Sequence, residues 1–74
     1  MTKNTIKTII PTFSMANDMF ENIEGINDSF TKCNFVANHV RNYHITKTQF
    51  IKICEENGFE NLKKWSTAII SMAH

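Results

Sequence analysis

The chain has 74 residues, 42% of them apolar, with six Phe, one Trp and a formal net charge of +1. That apolar content suits one small folded domain and argues against intrinsic disorder, while the near-neutral balance excludes a strongly basic nucleic-acid coat and an acidic mimic of DNA. No stretch approaches the roughly 18 apolar residues of a membrane span, and no apolar run near Met1 ends in a small-residue cleavage site, so a cytoplasmic location without a membrane partner is expected.

Residues 1–11 are ambiguous. Ile6, Ile9 and Ile10 fit one face of a short helix or an edge strand with no partner in the chain. The segment is therefore also readable as a flexible or partner-ordered arm. Pro11 biases Ile10 away from helical angles, so any helix before it is expected to break there.

From Thr12 to about Glu24, the residues Phe13, Ala16, Met19, Phe20 and Ile23 share one helical face. Thr12 is the expected N-cap and Gly25 the expected stop. A second helix is expected over 28–43, with Asn27, Asp28 and Ser29 as competing caps. Phe30, Cys33, Val36, Ala37, Val40 and Tyr43 form its apolar side, and Asn34, Asn38, Asn42 and His39 cover most of the rest. Phe35 breaks this pattern, about 140° around the helix from Phe30. It either meets a second neighbour of a helix contacted on two sides, or anchors a partner. Phe35, Asn34, Asn38, Asn42 and His39 are thus the candidate protein-binding residues.

The densest local signal runs from Ile45 to Ala73. Thr46 and Gln49 are spaced as a capping box, and Ile45 and Phe50 stand where a hydrophobic staple forms. The helix over 47–57 carries Phe50, Ile53 and Cys54 inward. Gly58 reads as its left-handed stop, with Phe59 reaching back toward Cys54. Asn61 is the expected cap of a fourth helix over 61–73, striped by Leu62, Trp65, Ile69 and Met72.

The expected fold is all-α: a compact bundle of four short helices, about 12–24, 28–43, 47–57 and 61–73, in one domain. Its expected core is Phe13, Phe20, Ile23, Phe30, Cys33, Val36, Val40, Phe50, Ile53, Phe59, Leu62, Trp65 and Ile69.

Catalytic and metal-binding chemistry is not legible in these residues. His39 and His44 lie about 140° apart on one helix and do not form a ligand pair. Cys33 and Cys54 fall on apolar faces, where buried free thiols are the expectation. No enzyme activity and no cofactor are expected.

The expected function is that of a small non-enzymatic protein-binding module, an inhibitor or adaptor of a larger protein. Its size and its nine Asn residues also fit a chain encoded by a phage or other mobile element. A homodimer through Phe35, or through Ile6, Ile9 and Ile10, uses the same kind of surface. The alternative is a helix-turn-helix-like DNA-binding regulator. There the helix after Asn61 would enter the major groove with Lys63, Lys64, Ser66, Thr67 and Ser71 as contacts.

Overall fold

A computed structural model describes residues 2–74, with side chains from residue 7 onward. The helices are α1 (Thr2–Met19), a 3-10 turn (Phe20–Asn22), α2 (Ile26–Asn42), α3 (Lys47–Asn57), α4 (Glu60–Lys64) and α5 (Ser66–Ala73). The described residues include no strand. The radius of gyration is 11.3 Å, matching the about 11 Å of a compact domain of this length. The bundle is all-α, as its periodicity predicts.

The first difference from the sequence reading is at Pro11, which lies inside α1 rather than before it. An interior proline costs a helix about 3 kcal/mol, because it removes one hydrogen bond and crowds the carbonyl four residues back. Tertiary burial outweighs that cost. Ile9 and Phe13, on either side of the proline, are 1% and 0% exposed, and burying such a side chain contributes about 1.5–3 kcal/mol. Ile9 therefore belongs to the core and Ile10 packs partly against it, while the side chain of Ile6 lies outside the described residues.

The turn into α2 is also tighter than expected. Helix α2 begins at Ile26 with Gly25 as N-cap, and the Gly25 carbonyl accepts from the Ser29 N–H at 3.0 Å. Asp28 reaches back instead of capping ahead, accepting the Glu24 N–H at 3.2 Å. Lys32 then ties the corner together, bonding Asp28 at 3.0 Å and donating to the Asn22 carbonyl at 3.1 Å. The Lys32 ammonium, with the Glu24 N–H second, holds the Asp28 carboxyl below its usual range.

Helix α3 begins as its sequence dictates. The Thr46 hydroxyl accepts the Gln49 N–H at 3.2 Å, and the Gln49 amide oxygen accepts the Thr46 N–H at 3.0 Å. Ile45 and Phe50 are both buried, the hydrophobic pair that flanks such a box. At the other end Gly58 is left-handed (φ 71°) and the Phe59 N–H reaches the Cys54 carbonyl at 2.9 Å, a Schellman ending. Helix α2 ends in the same way. The Ile45 N–H bonds the Val40 carbonyl at 3.0 Å, but here the left-handed residue is His44, at φ 53°.

The expected fourth helix is two helices. The chain turns at Trp65, so α4 is one short turn and α5 starts afresh at Ser66. Asn61 does not cap from its own position. It lies inside α4, whose cap position is Phe59, and its N–H is received from outside by Asn17. The break lets Leu62 and Ile69 both bury fully, while Trp65 is half-buried with its ring 5.9 Å from Phe20. Trp65 and Ile23 are thus at the margin of the core rather than within it.

Phe30, expected in the core, is 60% exposed. The reason is a mismatch of lengths. By rise per residue α2 is about 25 Å long and α5 about 12 Å. Their C-terminal ends are held together by Arg41, which donates to the carbonyls of Met72 at 2.8 Å and Ala73 at 3.2 Å. The buried residues of α2 accordingly start at Cys33 and continue through Val36, Ala37 and Val40. Among the described residues nothing covers the apolar side of the first two turns, where Ile26 and Phe30 stand exposed.

Candidate protein-binding surface

Two apolar side chains stand on that uncovered part of α2. Ile26 is 87% and Phe30 60% exposed. They are four residues apart, so they lie one above the other along the helix surface. Continuing the same spacing gives Asn34, Asn38 and Asn42, all exposed. Each step of four turns about 40° around the helix, so Ile26, Phe30 and Asn34 form a ridge of the i±4 type on one face, while Asn38 and Asn42 wind round toward the other side. The Asn34 amide can both donate and accept beside the two apolar groups. At the far end Asn38 already accepts from Arg41 at 3.3 Å.

The remaining residues of the expected surface are not on this ridge. Phe35 is half-buried and packs against the core. His39 is half-buried too, with its ring 4.8 Å from the Phe35 ring and its Nδ1 2.9 Å from the Phe35 carbonyl. Of the three Asn residues only Asn34 lies beside Phe30, while Phe35 and His39 form a separate contact. Phe30 could not be picked out from sequence, because its apolar position implies burial, and Ile26 precedes the start expected for this helix, at residue 28.

The five residues of the DNA-binding alternative do not share one open face. Ser66 is buried, and Lys63 is paired with Glu55 at 2.9 Å. The Glu55 carboxylate, chiefly by hydrogen bonding, raises the Lys63 ammonium above its ordinary pKa. Lys64, Thr67 and Ser71 are exposed.

The chemistry of the interior is that of packing. Cys33 and Cys54 are free and buried. Burial raises both thiols, that of Cys54 to about 11, so at neutral pH they are protonated and poor nucleophiles. Among the described residues no three His, Cys, Asp or Glu side chains converge as a metal site. A cleft of about 330 Å³ lies where the ends of α2 and α5 meet the start of α3, lined by Val40, Arg41, His44, Ile45 and Lys47 among others. Its guanidinium is the one that bonds the α5 carbonyls. Among the described residues no helix is long and apolar enough to cross a membrane.

Comparison with protein-family models, curated proteins and solved structures found no match to this chain.

Proposed function

We propose that this chain is a small non-enzymatic protein-binding module, acting as an inhibitor or adaptor, and that the α2 ridge is its binding surface. The observation that carries this reading is the exposure of Ile26 and Phe30, 87% and 60%, side by side on one rigid helix. Single exposed apolar residues are ordinary. Two large ones stacked at i and i+4, continuing the buried side of their own helix, are a surface that gains by being covered. Aromatic side chains are also enriched at interface centres. The helix behind it is fixed by the Arg41 and Lys32 bonds, so little ordering entropy opposes docking.

The test is affinity capture of the tagged chain from its host lysate, with and without nuclease, for the native sequence and for Phe30→Asp. A stoichiometric protein that survives nuclease and is lost with Phe30→Asp supports the reading. Unchanged capture by Phe30→Asp refutes the ridge. Recovery that depends on nucleic acid would favour a DNA-binding role for the region after Asn61.

A further inference from the structure

We infer that Asn57 is a site of spontaneous deamidation, and that the turn between α3 and α4 keeps this site closed while the chain is folded. Nine residues are Asn, and Asn57 is the one followed by glycine. In this chemistry the backbone nitrogen of the next residue attacks the side-chain carbonyl carbon. A side chain on that next residue crowds the approach, and Gly58 has none. Asn57 and Gly58 are both exposed, and no atom stands within 4 Å of where a Gly58 Cβ would lie. Solvent therefore reaches both reacting groups.

The reaction balances with water alone. Solvent takes the Gly58 N–H proton as that nitrogen bonds to Asn57 Cγ. The bond from Cγ to Nδ2 breaks, and the departing nitrogen takes a proton from solvent and leaves as ammonia. Water then opens the five-membered imide at one of its two carbonyls, giving aspartate or isoaspartate at position 57.

The folded turn withholds each group that this needs. Asn57 is the last residue of α3, and a helical backbone holds ψ at about −42°. At that angle the Gly58 nitrogen lies well out of the Cβ–Cα–C plane in which the ring must close. The Gly58 N–H is donated to the Cys54 carbonyl, which also receives the Phe59 N–H at 2.9 Å. The Asn57 Nδ2 donates to the Ile53 carbonyl at 2.9 Å, which draws the side chain back along the helix and away from Gly58. Opening this one turn frees nucleophile, ring angle and leaving group together.

The product cannot restore the turn. A carboxylate at position 57 has no proton to donate to Ile53. It also joins Glu55, Glu56 and Glu60 around the end of α3, where the helix dipole disfavours negative charge. Isoaspartate adds a methylene to the main chain just before the left-handed Gly58. Deamidation is thus a one-way loosening of the α3–α4 corner.

The experiment incubates the full chain at mildly alkaline pH, in buffer and in guanidinium chloride above its unfolding midpoint, with peptide mapping by mass spectrometry. In denaturant, Asn57 is expected to convert fastest of the nine Asn. In the folded chain its conversion should be at least about tenfold slower, the ratio being set by local opening of the turn. Gly58→Ala should suppress conversion in denaturant, where the fold no longer matters. Asn57→Asp should lower the guanidinium midpoint below that of the native chain. Conversion at Asn57 no faster than at the other Asn residues in denaturant overturns the site. Equal rates in buffer and denaturant overturn protection by the turn, and an unchanged midpoint for Asn57→Asp overturns the loosening.

Discussion

Asn17 of α1 caps α4 across 44 residues of sequence. Its side-chain oxygen accepts the N–H groups of Asn61 at 3.0 Å and Leu62 at 3.2 Å, and its carbonyl accepts from the Asn61 amide at 3.0 Å. Helix α4 has no side-chain cap of its own, so two of its N-terminal donors depend on this one residue. Asn17→Ala should therefore cost about 1–2 kcal/mol, the scale of a lost cap with donors left unpaired. Asn17→Asp keeps the accepting oxygen and should stay within about 0.5 kcal/mol of the native chain. Urea unfolding midpoints of the two variants decide it. Equal losses would mean that the amide nitrogen, not the accepting oxygen, matters.

That bond also marks where sequence reading stops. The capping box at Thr46 and Gln49 and the glycine ending at Gly58 were legible, because every group involved lies within six residues. The apolar stripes of α1, α2 and α3 were legible for the same reason: period 3.6 is a local property. Asn17 reads as one more polar residue until α4 is laid against α1. Pro11 reads as a break until the burial of Ile9 and Phe13 is known. Phe30 reads as core because periodicity identifies the side of a helix and says nothing about how far the neighbour extends along it. Of the proposed surface, Asn34 reads as an exposed polar position, Phe30 is hidden by that same rule, and Ile26 falls ahead of the start expected for its helix at residue 28.

His44 holds a left-handed conformation (φ 53°) at the end of α2, in the role that Gly58 fills at the end of α3. A side chain in that region costs about 1–2 kcal/mol, which glycine avoids at the expense of a more flexible unfolded chain. His44→Gly should thus stabilise the domain by about 0.5–1 kcal/mol net. His44→Ala, which keeps the Cβ, should give no gain. Thermal midpoints measured side by side separate relief of backbone strain from loss of the imidazole.

The buried thiols make the domain sensitive to alkali. Burial raises the Cys54 thiol from 9.0 to about 11 in the folded chain. Between those values the unfolded thiol has lost its proton and the folded one has not, so the unfolded state binds fewer protons. The stabilising effect is complete below pH 9.0 and is lost as pH rises through about 11, at a slope approaching 1.4 kcal/mol per pH unit. Cys33 acts in the same direction. Unfolding free energy measured from pH 8 to 11 should fall less steeply in Cys54→Ala, although that variant starts lower because of the cavity it leaves. An unchanged slope would assign the alkaline loss to other groups.

Two phenylalanines should answer to truncation in opposite ways. Phe50 is fully buried and meets Phe13 edge to face at 5.5 Å. Phe50→Ala removes that contact and leaves a cavity, at a cost of about 3–5 kcal/mol. A domain of this length has about 4–11 kcal/mol of stability in total, so the variant should be largely unfolded at moderate temperature. Phe30, 60% exposed beyond the reach of α5, should tolerate Ala or Asp within about 0.5 kcal/mol. Circular dichroism melts of Phe30→Asp and Phe50→Ala test this directly. If Phe30→Asp unfolds with Phe50→Ala, the first turns of α2 are covered by the chain itself and the ridge is not a surface.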